Sequence, residues 1–168
     1  MPHGCYHKEL PLGRLHAGNL ALACALGRAG ISHAKSEGDR ATPSGRFRFT
    51  GGFFRQDRVA RLAWALPMMG LKPSDAWCDD PGSANYNRRI RLPSRAGHEK
   101  LWREDRLYDL IAVLDYNIRP RRKPRGSAIF LHCTRPGFAP TEGCLALPID
   151  NLRRLLPRLS RNVVLIIN

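Results

Sequence analysis

A mostly β fold in one domain is what this chain predicts, and three observations carry that expectation. Its 13 prolines and 15 glycines among 168 residues interrupt the chain too often for a helical bundle. The apolar runs LALACALG, LYDLIAVLDYN, SAIFLHC and VVLII read as buried strands bounded by turn formers. The stretch GRFRFT alternates, with Phe47 and Phe49 directed one way and Arg46 and Arg48 the other, as a half-buried strand requires. The length suffices for one substantial core, so residues 1–168 are expected to form a single domain.

Taken in order, residues 1–17 show scattered His and Gly without a period and are expected to be irregular. NLALACALG, Asn19 to Gly27, has two possible readings: a buried strand, or the apolar part of an export signal near the lower length limit for one. KSEGDRATPSGRFRFTGG, Lys35 to Gly52, opens with turn formers and passes into the alternating strand. Met68 to Pro93 is expected to be a long irregular loop, of the kind that carries function when found in a compact domain. LYDLIAVLDYN and SAIFLHC supply two further strands; in the second, Phe130 and His132 share one face, and Ile129, Leu131 and Cys133 the other. IDNLRRLLPRL spaces Leu152, Leu155, Leu156 and Leu159 as a helical stripe that Pro157 ends or kinks. VVLII closes the chain as a strand.

The charge is unusual. Against 14 acidic residues stand 28 Lys and Arg, a net +14, which favours anionic partners: nucleic acid, a membrane surface or an acidic cell-wall polymer. The one dense cluster, RPRRKPR at Arg119 to Arg125, contains two prolines and reads as an exposed loop. No base-stacking aromatics are interleaved with it, so nucleic acid is not the expected partner. No apolar run reaches the roughly 18 residues a membrane helix needs. The five cysteines are an odd number and no CxxC occurs, which argues against a zinc ribbon or a thioredoxin-like redox pair.

FLHCTRPGFAPTEGCLALP, Phe130 to Pro148, places His132, Cys133 and Cys144 within thirteen positions. On a strand His132 and Cys133 project to opposite faces, so they do not ligate one metal together. A Cys133–Cys144 disulfide is sterically conceivable through the PGFAP turn, but the odd cysteine count disfavours it. A thiol with a histidine as its base uses the same residues better: a free thiol is mostly protonated near neutrality, and an imidazole within reach can take its proton. Gly143 before the cysteine permits close substrate approach, and neighbouring N–H groups can form an oxyanion hole. The residues alone leave this open against a buried, inert Cys144.

TEGC, with a histidine on the strand before it, resembles the active-site motif of the L,D-transpeptidases with a YkuD-type catalytic domain, a histidine followed by Ser/Thr-His-Gly-Cys. EGDRATPSGRF, Glu37 to Phe47, resembles the Gly-Asp-x-x-Thr-Pro-x-Gly-x-Phe segment of the same family. The CALGRAGI strand and the Asp in LPIDNLRRLL fit its flanks, so the apolar run from Leu20 is expected to be a strand and not an export signal. The resemblance implies a β-sandwich with mixed sheets and a short helix after the cysteine. It also implies acyl transfer on peptidoglycan stem peptides as donor and acceptor, through a thioester on Cys144. His132 would be general base and acid, and the Gly143 and Cys144 N–H groups would hold the oxyanion. It implies no cofactor and no metal, a monomer, and action in the periplasm or cell envelope by an export route the sequence does not give.

Four departures accompany the resemblance. Thr141-Glu142 replaces Ser/Thr-His, Ala146 stands where Arg or Asn is usual, the twelve-position separation of His132 from Cys144 is shorter than the family's, and Cys133 stands where a glycine often follows the upstream histidine. They put the acceptor and the linkage in question, whether 3-3, 1-3 or hydrolysis by an L,D-carboxypeptidase or endopeptidase on the same Cys-His pair. A non-catalytic basic cell-wall-binding module is the reading from another class. Tyr86, Asn87 and Arg88 in ANYNRR, with Tyr116 and Asn117 in DYN, are candidate substrate contacts because amide and phenol groups there sit beside positive charge. Ordinary loop packing would explain them as well.

Overall fold

A computed structural model describes residues 11–168. Strands β1 (Leu12–Ala17), β2 (Leu20–Ala25), β3 (Ile31–Ser32), β4 (Thr42–Pro43), β5 (Gly45–Phe54) and β6 (Met68–Gly70) come first. They are followed by β7 (Asp75–Cys78), β8 (Arg88–Arg91), β9 (His98–Lys100), β10 (Leu110–Leu114), β11 (Phe130–Cys133) and β12 (Leu145–Leu147). Helix α1 (Ile149–Leu155) and strand β13 (Val164–Ile167) complete the described chain. The main sheet runs β1-β2-β12-β11-β10-β5-β13 with β6 added to β5; β8-β7-β9 form a smaller sheet. Pairing is mixed, with β11–β12 and β5–β6 parallel and the remaining main-sheet pairs antiparallel.

The main sheet separates two cores, and alternation along β10 shows how. Leu110, Ala112 and Leu114 face one core, which holds Leu152, Leu155 and Leu156 of the helical segment. Ile111 and Val113 face the other, with Phe53, Phe130, Trp77 of the small sheet and Leu101. The expected sandwich with a short helix after the cysteine is thus what forms. Every residue of β10 is buried, which is why its sequence is apolar throughout and does not alternate with polar residues. At the helix end Pro157 lies in a 3-10 turn, Leu156–Arg158, because its ring blocks continuation of the α pattern.

Two expectations need correction. Residues 12–17 are not irregular: they form β1, paired with β2 from Leu12↔Ala25 to Ala17↔Leu20, while residues 1–10 lie outside the described part. The signal was the Gly18-Asn19 dipeptide, a hairpin turn that converts the apolar β2 run and its weakly patterned neighbour into a pair. Met68 to Pro93 is not one loop but holds β6, β7 and β8. These strands are only three or four residues long, too short for a period to stand out from surrounding Pro, Gly and Asp. Among the described residues no helix is long and apolar enough to cross a membrane.

Between β2 and β5 the chain folds back under the Cys144 turn. Gly27 forms a bridge with Thr141, and the Arg28 N–H donates to the Thr141 carbonyl at 2.8 Å. A Cβ on Gly27 would lie 2.5 Å from the Arg40 carbonyl oxygen and 2.8 Å from the Thr42 nitrogen, both backbone atoms that cannot give way locally. Gly27→Ala is therefore expected to destabilise the protein by about 1–3 kcal/mol, read as a lower midpoint in urea unfolding with an unchanged slope.

Candidate active site

The parallel register of β11 and β12 sets Leu131 beside Leu145 and His132 beside Ala146. Cys144, one residue ahead of β12, consequently lies next to Phe130, whose N–H donates to Sγ at 3.3 Å. The thiol in turn donates to the Ala128 carbonyl at 3.0 Å. Cys144 and Ala146 share a face, so the thiol and the His132 ring project from the same side of the sheet, offset by two residues or about 6.6 Å along the strands. Both line one cleft of about 720 Å³. Cys133 faces the other core, its Sγ against the Leu110 carbonyl, so the face assignment for β11 holds. Cys24, Cys78, Cys133 and Cys144 are all free thiols, and the disulfide alternative is not realised.

The turn carrying the cysteine is fixed through its carbonyl. Thr141 Oγ1 donates to the Cys144 oxygen at 2.6 Å and accepts from the Gly143 N–H at 3.2 Å. Thr42 Oγ1 lies 3.5 Å from the same oxygen and accepts from the Gly27 N–H at 2.8 Å. The loop before Thr42 is organised by Asp39, which accepts from Lys35 Nζ and from the Ser36 and Ala41 N–H groups. Gly143 has φ +136°, and a Cβ there would sit 2.8 Å from the Ala41 oxygen, so glycine is demanded both by conformation and by space. Glu142 is exposed on the cleft rim and pairs with Arg40 at 3.2 Å and Arg28 at 3.7 Å.

His132 Nδ1 lies 2.8 Å from the Cys133 carbonyl, which can only accept. The proton is therefore on Nδ1 and the lone pair on Nε2. The Tyr108 ring packs edge-to-face on the imidazole, centroids 5.2 Å apart at 82°. Its hydroxyl donates to Glu99 at 2.6 Å, and Arg103 lies 3.6 Å from the same carboxylate. Burial pushes the His132 pKa down to about 4, with the Cys133 bond opposing. Burial pushes the Cys144 thiol up to about 12, aided by the Glu99 charge and opposed by the Phe130 N–H and Lys35. The resting pair is a neutral thiol and a neutral imidazole. Such a pair can pass a proton during attack without holding a separated charge beforehand.

Residues 12–167 match the L,D-transpeptidase catalytic domain (YkuD). The chain belongs to that family. Neither curated proteins nor solved structures gave a match.

In this L,D-transpeptidase-family domain, the candidates His132, Thr141, Glu142 and Cys144 meet at one cleft. The five candidate substrate contacts are not brought to it. Asn87 is buried: its Oδ1 accepts from Trp77 Nε1 and the Ala128 N–H, and its Nδ2 donates to the Tyr116 and Asn117 carbonyls. The Tyr86 hydroxyl donates to Glu37, and that of Tyr116 to the Arg125 carbonyl. Asn117 closes its own loop through the Arg122 and Gly126 backbone, and Arg88 is an exposed residue of β8. Apart from Arg88, these groups are spent on chain packing, a demand that sequence does not display. Conversely, Glu99, Tyr108, Arg103, Arg28 and Arg40 line the cleft without a sequence signal of their own, because they come from β9 and from segments far apart in the chain.

The neutral resting pair has a measurable consequence. With the thiol near 12 and the imidazole near 4, the alkylation rate of Cys144 by iodoacetamide should rise about tenfold per pH unit from pH 6 to 10. A preformed thiolate–imidazolium pair would give a flat, fast rate from pH 5 to 8 instead, and such a plateau would contradict the burial-driven shifts.

Proposed function

We propose that this chain is a peptidoglycan L,D-transpeptidase using Cys144 as nucleophile and His132 as general base and acid. The observation that carries the reading is the His132 Nδ1–Cys133 carbonyl bond, which leaves Nε2 as the basic nitrogen on the cleft that also holds Cys144. The family acts on stem peptides in the cell envelope, and this domain is proposed to work there.

In the proposed reaction His132 Nε2 takes the thiol proton as Sγ attacks the donor carbonyl carbon. The Cys144 N–H and the Gly143 N–H then hold the oxyanion, the latter leaving Thr141 Oγ1 to do so. Collapse breaks the C–N bond, and His132 returns the proton to the departing D-amino acid, leaving a thioester on Cys144. An acceptor amine attacks the thioester, loses its proton to His132 and regenerates the thiol as the cross-link forms. Arg28, Arg40, Lys100 and Arg135 along the cleft suit donor and acceptor carboxylates, while Glu37, Asp79 and Glu99 suit an ammonium group.

One observation favours a second reading. Glu142, in place of the family's histidine, is held by Arg28 and Arg40 at the rim, so the acceptor side differs from the family pattern. Water could then resolve the thioester, making the protein an L,D-carboxypeptidase. Purified protein with disaccharide tetrapeptides and pentapeptides separates the two: dimers together with released D-amino acid support transpeptidation, shortened monomers alone support hydrolysis. Fragmentation of any dimer reads whether the linkage is 3-3 or 1-3.

Cys144→Ala should abolish release of the D-amino acid, while Cys133→Ala should keep it. His132→Ala should lower the rate by about 10²–10⁴-fold. Glu142→Gln, changing only exposed ion pairs, should cost less than His132→Ala. Retained activity in Cys144→Ala would refute the mechanism.

A further inference from the structure

The segment Tyr116–Gly126 contains five cations, Arg119, Arg121, Arg122, Lys123 and Arg125, and no acid. None of them, nor Arg88 beside them, forms an ion pair among the described residues. The contrast is sharpest within β8: Arg89 and Arg91 both pair with buried Asp75, whereas Arg88 has no ion-pair partner among the described residues. Arg121 is half-buried, and its Nε has no hydrogen-bond partner among the described residues. Burial, then the nearby charges of Arg88 and Arg119, holds its guanidinium below the ordinary value.

This loop is built, not loose. Asn117 donates to the Arg122 and Gly126 carbonyls and accepts from the Arg122 N–H. Asn87 ties the Tyr116 and Asn117 carbonyls to the start of β8, and Lys123 Nζ donates to the Ser83 carbonyl at 2.7 Å. The loop's far end reaches the cleft: the Glu37 N–H donates to the Pro124 carbonyl at 2.7 Å, and Ser127 donates to Glu37 Oε2 at 2.8 Å. Glu37 and Ser127 both line the cleft. Polar side chains are thus spent on holding like charges together beside the site, a cost that an anionic partner would offset.

We propose that the Arg119–Arg125 loop and Arg88 form a docking surface for a carboxylate-bearing polymer, the peptidoglycan of the proposed reaction, and guide its stems into the Cys144 cleft. The choice of polymer rests on the proposed function. The loop offers no aromatic side chain for base stacking, since the Tyr116 hydroxyl is turned onto the Arg125 carbonyl, and that favours carboxylates over nucleic acid. Exposed cations spaced along a rim act by raising local polymer concentration, and their effect falls as salt shortens the screening length.

The test uses the full chain as Cys144→Ala, so that binding is read without turnover. It should co-sediment with purified sacculi at low salt and be released as salt is raised. Adding Arg119→Gln, Arg121→Gln and Arg122→Gln should weaken sedimentation by about tenfold or more, while the same three positions as Lys should retain it. With Cys144 intact, the Gln triple should leave turnover of soluble disaccharide peptides unchanged and raise KM for sacculi. Unchanged sedimentation of the Gln triple, or loss of soluble turnover with it, would overturn the proposal. So would tighter binding of a short DNA duplex than of sacculi. Failure of the proposed function would appear as no turnover of any muropeptide and would leave the sedimentation result standing, so the two are distinguishable.

Discussion

Two threonine hydroxyls converge on one carbonyl oxygen, that of Cys144, and the geometry of the cleft depends on them. One belongs to the local turn; the other, Thr42, arrives from 102 residues earlier. The Cys144 carbonyl sits at the start of a parallel strand whose neighbour carries His132, so any shift of that oxygen would move the thiol relative to the imidazole. Thr42 also accepts from the Gly27 N–H, which joins the β2 exit, the Asp39 loop and the cysteine turn into one hydrogen-bonded unit. The glycine at 143 is the cost of bringing the Ala41 carbonyl so close.

Burial governs the chemistry of the pair. In water a thiol and an imidazole titrate within a few pH units of neutrality, and charge separation between them is inexpensive. Here both are enclosed by Phe130, Tyr108 and the cleft walls, and enclosure disfavours the charged form of each. No carboxylate accepts from His132 Nδ1; a backbone carbonyl does. Orientation of the ring is consequently strong, whereas an imidazolium would gain from the Asp105 charge and lose from those of Arg103 and Arg135.

The charge distribution has two levels. Much of the excess arginine is neutralised locally, as where Arg55 clamps Asp57 while lying 3.7 Å over the Trp102 ring, or where Arg89 and Arg91 flank Asp75. Other basic residues form no ion pair among the described residues, and one group of them, Arg88 with the cations of Arg119–Arg125, lies near one end of the cleft.

Composition, the alternation of Phe47 and Phe49 with arginines, and the apolar runs determined the β class and the central strands. The face split of Phe130 and His132 from Leu131 and Cys133 followed from the two-residue strand period alone, which is local and therefore readable. The TEGC and EGDRATPSGRF motifs pointed to the family because their residue order survives in one dimension. Tertiary structure decided everything that requires a distant partner. It turned residues 12–17 into a strand by pairing, split Met68–Pro93 into three short strands, and withdrew Tyr86, Asn87, Tyr116 and Asn117 from the cleft by giving each an internal partner. It also paired Glu142 with Arg28 and Arg40, and by burial it pushed the His132 pKa down and the Cys144 pKa up. Hydrogen-bond partners and burial are properties of residues far apart in the chain, and no spacing along the sequence encodes how much water will remain around Cys144 once the sheets close.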